Sequence, residues 1–176
     1  IFCRGGKEMG AEIIKIYKEH LPSLRLIGKC YKDSDRVDGG FGAKWGEWFR
    51  NNWFGEIEKL GVLPENGDAY LGVMRCVNNS FEYWIGMFFP IETPAPTGYS
   101  YVDIPEGDIA TCWIYGKENN GELYGLEPHN MCMDKIASQG WDLQGNPWFF
   151  ERYNCPRFTT PDEKGNVILD YCIYIK

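Results

Sequence analysis

The tightest constraint on the fold of this chain is an order of segments that occurs twice. In the first half, residues 11–19 and 23–32 are rich in β-formers and are separated by Pro22, which reads as two strand pieces. A polar turn at Asp33 to Gly40 follows. Phe41, Trp45, Phe49, Trp53, Ile57 and Leu60 then recur at i+4 or i+3, the period of one amphipathic helix that Gly61 is placed to end. A hairpin from Ala69 to Val77 and Phe81 to Pro90 turns at Asn78-Asn79-Ser80. After a proline-rich connector to Gly98 the order returns: a strand at Asp108 to Tyr115, a helix opened by Glu127-Pro128 and stopped near Gly140, a strand at Pro147 to Tyr153, and a strand at Val167 to Ile175. The heptads Phe81-Glu82-Tyr83-Trp84-Ile85-Gly86-Met87 and Leu169-Asp170-Tyr171-Cys172-Ile173-Tyr174-Ile175 match in an acid, a Tyr and an Ile. The expected architecture is α+β: two strand-helix-strand-strand (SHS2) repeats, about 11–90 and 99–176, forming one curved antiparallel sheet. Two helices pack on one side, and a pocket opens at the pseudo-twofold axis. Residues 1–10 read as a tail, with Met9 a candidate start.

Composition narrows the function. Seven Trp, eleven Tyr and ten Phe are a surplus that can be core but is also what lines pockets for flat or greasy ligands. A net charge of −7 argues against a phosphate-binding surface and favours cationic partners. Seven cysteines form no CxxC pair, and with two histidines there is no zinc spacing, so no metal and no cofactor are expected. Reduced thiols, with Cys112 and Cys172 packed in apolar strands, suit a cytoplasmic protein. No apolar run is long enough for a membrane helix.

Within the strand Pro147-Trp148-Phe149-Phe150-Glu151-Arg152-Tyr153, one carboxylate sits between bulky rings. Glu151 is either an edge charge in solvent beside Arg152 or the floor of a pocket, and these seven residues leave both open. Trp48, three residues beyond Trp45, is core or pocket wall. Trp113 walls the pocket or packs under its helix. Trp141 could cap the pocket, Trp148 could flank Glu151, and Trp84 shares a face with Glu82 by strand alternation. Glu82 and Asp170 are second pocket carboxylates or, as a commoner arrangement, salt-bridged acids. His20 and His129 lack a clustered acid or nucleophile and are assigned no catalytic role.

The segments Leu21-Pro-Ser-Leu-Arg-Leu-Ile-Gly-Lys29, the aromatic helix, Ile104-Pro-Glu-Gly-Asp-Ile-Ala110, Phe150-Glu-Arg-Tyr153 and the closing Leu169 to Ile175 together resemble the GyrI-like small-molecule-binding domain. This is the effector-binding domain of AraC-type and MerR-type multidrug regulators, and the likeness spans about residues 11–176. It implies an aromatic pocket with a glutamate on the penultimate strand at its base, here Glu151, meeting a hydrophobic, planar or cationic small molecule. With Glu151 at the base, the candidate ligand-binding set is Glu151, Tyr153, Trp113, Trp148, Tyr171, Trp48, Trp84 and Trp141. Some stand-alone members resemble hydrolases that open the cyclopropane of DNA-alkylating natural products. In that case Glu151 would be the general base on a water, with Tyr171 or Tyr153 hydrogen-bonding the carbonyl that accepts charge. Others in the family bind protein, as in gyrase inhibition. No DNA-binding segment precedes residue 11, so direct nucleic-acid binding is not expected of this chain, nor is a membrane.

Overall fold

The computed structural model describes residues 10–61 and 68–176, so nearly all of the expected tail lies outside the described residues. Eight strands form a single antiparallel sheet: β1 Glu12–Leu21, β2 Leu24–Lys32, β3 Tyr70–Val77, β4 Ser80–Pro90, β5 Ser100–Ile104, β6 Gly107–Lys117, β7 Phe149–Tyr153 and β8 Asn166–Ile175. Among the described residues three α-helices accompany them, α1 Gly42–Arg50, α2 Trp53–Glu58 and α3 Leu126–Ser138, with a short 3-10 turn at Asp33–Asp35. The sheet order is β1-β6-β8-β7-β3-β4-β2-β5. Each edge strand therefore lies in the opposite half of the sheet from its chain neighbour: β1 precedes β2 but pairs with β6, and β5 precedes β6 but pairs with β2. The two halves meet at the β3–β7 pairing, Tyr70↔Tyr153 to Met74↔Phe149.

Turn chemistry sets these connections. Asn78 and Asn79 both adopt positive φ, 51° and 61°, as a two-residue hairpin between Val77 and Ser80 requires. Gly140, at φ 72°, ends α3, and the Trp141 amide bonds back to the Ile136 carbonyl.

The single helix expected over 41–60 is two. Asn52 takes a left-handed φ of 52°, which Asn tolerates, and the chain restarts as α2 at Trp53. The break shifts the phase of the apolar stripe. Trp48, Phe54 and Ile57 become the buried contacts, while Phe49 is 59% exposed. Strand β5 was also not expected, and it caps the β2 edge.

Apolar residues cover both faces of the sheet. On one, Trp48, Phe54, Ile57, Cys132 and Ile136 of the helices pack on Ile27, Ile85, Met87, Cys112, Leu169 and Ile173. On the other, Leu26, Val73, Trp84, Phe88, Phe150, Cys172 and Tyr174 form a second buried cluster without a helix. Among the described residues no helix is long and apolar enough to cross a membrane.

Candidate functional site

Strand alternation sorts the charged residues of the central strands. On β7, Phe149, Glu151 and Tyr153 share the helix-side face, whereas Phe150 and Arg152 point to the other. Arg152, 3% exposed, hydrogen-bonds Glu19 through both terminal nitrogens at 2.8 and 2.9 Å and Asp170 through Nε at 3.1 Å. Asp170, fully buried, also accepts from Asn154 and Arg157. At the corresponding place in the other half, Arg75 donates to Glu82 at 2.6 Å, and Lys32 joins it. Burial pushes the Glu82 carboxyl up, but the hydrogen bonds from Arg75 and Lys32 outweigh it and hold the group at about 2. The matched acids of the two heptads are thus ion-paired on the face away from the helices. Their matched tyrosines, Tyr83 and Tyr171, point to the helix side.

On that side α1, α3, the loops before them and the central strands enclose a cavity of about 920 Å³. Glu151 stands in its wall, 6% exposed. Its Oε2 accepts a hydrogen bond from the Tyr153 hydroxyl at 2.6 Å and a longer one from Tyr83 at 3.4 Å, and the Trp45 indole donates to the Tyr83 oxygen at 2.9 Å. Glu151 Oε1 takes no hydrogen bond from the described residues, and Glu151 makes no ion pair with them. Burial raises its pKa to about 7, against the opposing effect of the two tyrosine hydrogen bonds. Burial, with the Glu151 charge close by, also raises Tyr153 and Tyr83 well above the usual phenol range, so both remain donors.

The remaining wall is mostly rings. Phe41 stacks on Tyr83 with centroids 4.3 Å apart, Trp45 and Phe158 meet Tyr153 edge-on at 4.8 and 4.6 Å, and Tyr124 and Phe149 complete the enclosure. The mouth carries two exposed apolar side chains, Phe49 and Leu126. Arg36, also at the lining, is held by Asp33 at 2.9 Å. Gly72, directly opposite Glu151 in the β3–β7 register, leaves the space that Glu151 Oε2 and the Tyr83 hydroxyl occupy.

Of the residues singled out from sequence, Glu151, Tyr153 and Tyr171 line this cavity. The five tryptophans do not. Trp48 is sealed in the core, its indole donating to the Tyr31 hydroxyl at 3.0 Å. Trp84 and Trp148 are buried in the cluster on the opposite face, and Arg75 lies 4.4 Å over the Trp148 ring. Trp113 packs edge-on against Tyr17 between Lys15 and Arg157, and Trp141 lies under Lys18. Parity explains the strand tryptophans: Trp84 follows Tyr83 and Trp148 precedes Phe149, so each faces away from its cavity-lining neighbour. Sequence reading missed Tyr83, although the heptad match already pairs it with Tyr171, and it missed Trp45 as wall, although that residue lies on the helical stripe. His129 carried no sequence signal. Among the described residues no group of His, Cys, Asp and Glu is placed to hold a metal.

No protein-family model and no curated relative matches the chain. Solved structures do. A protein from Staphylococcus aureus MU50, named as a putative bacterial transcription regulation protein, superposes with a TM-score of 0.65 at 15% identity, covering 92% of this chain and 98% of that one. SAV2435, solved bound to tetraphenylphosphonium, gives 0.61 at 17%, covering 93% and 94%. A hydrolase encoded by lin2189 from Listeria innocua gives 0.51 at 10%, covering 92% of both. The chain shares the fold of these proteins.

Proposed function

We propose that the cavity binds a lipophilic, planar or bulky cation, with Glu151 as its counter-charge. One observation carries this reading: a buried carboxylate with no ion pair among the described residues, one oxygen unclaimed, in a cavity walled by rings. Desolvating a carboxylate without a cation is costly, and an incoming cation would offset that cost while gaining about 0.5 to 2 kcal/mol per favourable ring contact. A similarly folded protein, SAV2435, has tetraphenylphosphonium bound, a cation of this description. Tetraphenylphosphonium titrated into the protein with calorimetric detection tests the proposal. Saturable one-site binding that weakens at least tenfold in Glu151→Gln supports it, and equal affinity of the two proteins would overturn it.

A second reading has its own support. Glu151 and Tyr171 are cross-strand partners, and a carboxylate titrating near 7 is poised for general-base work on a water. In a cyclopropane-opening hydrolase Glu151 would take a proton from water as its oxygen attacks the strained ring carbon, and a phenol would bond the carbonyl that collects the released charge. Multiple turnovers of a spirocyclopropane alkylator, followed by absorbance and lost in Glu151→Gln, would favour catalysis over simple binding. Stoichiometric Trp quenching without product would favour the binder.

A further inference from the structure

We infer that His129 and Tyr171 form a hydrogen-bond donor station in the cavity, which selects cations carrying an oxygen acceptor, such as a carbonyl, over purely apolar cations. This rests on the cation-binding reading above and specifies the ligand further. His129 Nδ1 and the Tyr171 hydroxyl are 2.8 Å apart, and both residues line the cavity. Tyr171 belongs to β8 beside Glu151 of β7, so the station stands next to the carboxylate rather than across the molecule.

Counting protons defines what the pair can offer. A neutral imidazole has one N–H and a phenol one O–H, and a single hydrogen bond joins them. If Tyr171 donates to Nδ1, the imidazole proton is on Nε2; if Nδ1 donates to Tyr171, the phenol proton is the one left over. In either tautomer one donor hydrogen remains, and no described residue accepts it. Burial lowers the His129 pKa, which keeps the ring neutral. His129 also packs on Phe149 at 5.1 Å, which holds the ring in place. The cavity thus presents an acceptor, Glu151 Oε1, and a donor, the His129–Tyr171 pair, on adjoining strands and the helix above them. A ligand with a positive charge and a nearby carbonyl satisfies both. A hydrocarbon cation leaves the donor unpaired.

Two isosteric probes separate the possibilities: (4-acetylbenzyl)triphenylphosphonium, which carries a ketone, and (4-isopropenylbenzyl)triphenylphosphonium, which does not. One hydrogen bond is worth about fivefold in affinity, so wild type should prefer the ketone by about that factor. In the double variant His129→Phe, Tyr171→Phe the preference, read as the ratio of the two probes' affinities for that variant, should vanish. The infrared carbonyl stretch of the bound ketone gives a readout on wild type alone, and should lie at lower wavenumber than in an apolar solvent. Equal affinity of wild type for the two probes, an unshifted carbonyl stretch, or a preference that survives in the double variant would each overturn the donor station while leaving the cation site standing. If neither probe binds wild type, the cation reading fails and the station with it.

Discussion

Gly72 and Glu151 face each other across the β3–β7 pairing, and a methyl group on Gly72 would lie 2.5 Å from the Tyr83 hydroxyl and 3.0 Å from Glu151 Oε2. The absence of a side chain on one strand thus makes room for the polar cluster on the next. Tyr83 has little freedom to yield, being stacked on Phe41 and bonded by Trp45. Gly72→Ala should therefore cost about 1 to 3 kcal/mol by overpacking and weaken tetraphenylphosphonium binding about tenfold. Urea denaturation and calorimetric titration check the two effects separately.

Glu151 makes stability depend on pH in a known direction. Its folded pKa, about 7, lies above the ordinary 4.5, so the native state binds the proton more tightly than the unfolded chain does. The associated stability is fully present below about pH 4.5 and is lost as pH rises to 7, amounting to roughly 3 kcal/mol. Glu151→Gln lacks this loss. Compared with wild type in chemical denaturation, the variant should gain stability between pH 5 and 8, and the difference should level off above pH 8.

Cation binding should carry the opposite dependence. Only ionised Glu151 serves as counter-charge, so affinity for tetraphenylphosphonium should fall by up to tenfold per pH unit below 7 and plateau above 8. Titrations at pH 6 and 8 in buffers of different ionisation enthalpy should also detect proton release on cation binding, large at pH 6 and small at pH 8. Neutral ligands should lack both effects.

The opposite face predicts a separation of stability from binding. Asp170 receives Arg152, Arg157 and Asn154 in a buried site, and removing its charge leaves two guanidinium groups undercompensated. Asp170→Asn should cost about 3 to 5 kcal/mol in urea denaturation. Because this network lies behind the sheet from the cavity, the fraction that remains folded should bind tetraphenylphosphonium with affinity close to wild type.

Much of this was legible along the chain. Strand-forming runs located every strand but β5, the asparagine pair placed the hairpin, Pro128 and Gly140 bounded α3, and the two matched heptads mark positions that are equivalent in the sheet. Where the reading failed, a non-local cause can be named. The helical stripe from Phe41 to Leu60 keeps its period through Asn51-Asn52, so hydrophobicity alone does not register the left-handed turn at Asn52 that divides it. The chemistry of the tryptophans leaves them open between pocket and core. Their placement follows instead from which face of the sheet each one occupies, and on the strands a shift of one residue reverses that face.

The chain by itself determined an α+β antiparallel fold and an aromatic surplus with an acidic balance, because these follow from local period, turn residues and composition; residues 147–153 left Glu151 open between solvent and pocket, and only the family resemblance pointed to it as the pocket carboxylate. Only the tertiary structure decided that Glu82 and Asp170 are neutralised by arginines behind the sheet while Glu151 is not. It alone brought Tyr83, Trp45 and His129, from distant segments, to the same cavity. The physical reason is that a carboxylate's state depends on which cations and donors reach it through space, and here the nearest partners of Glu151 outside its own strand come from β4 and, through Tyr83, from α1.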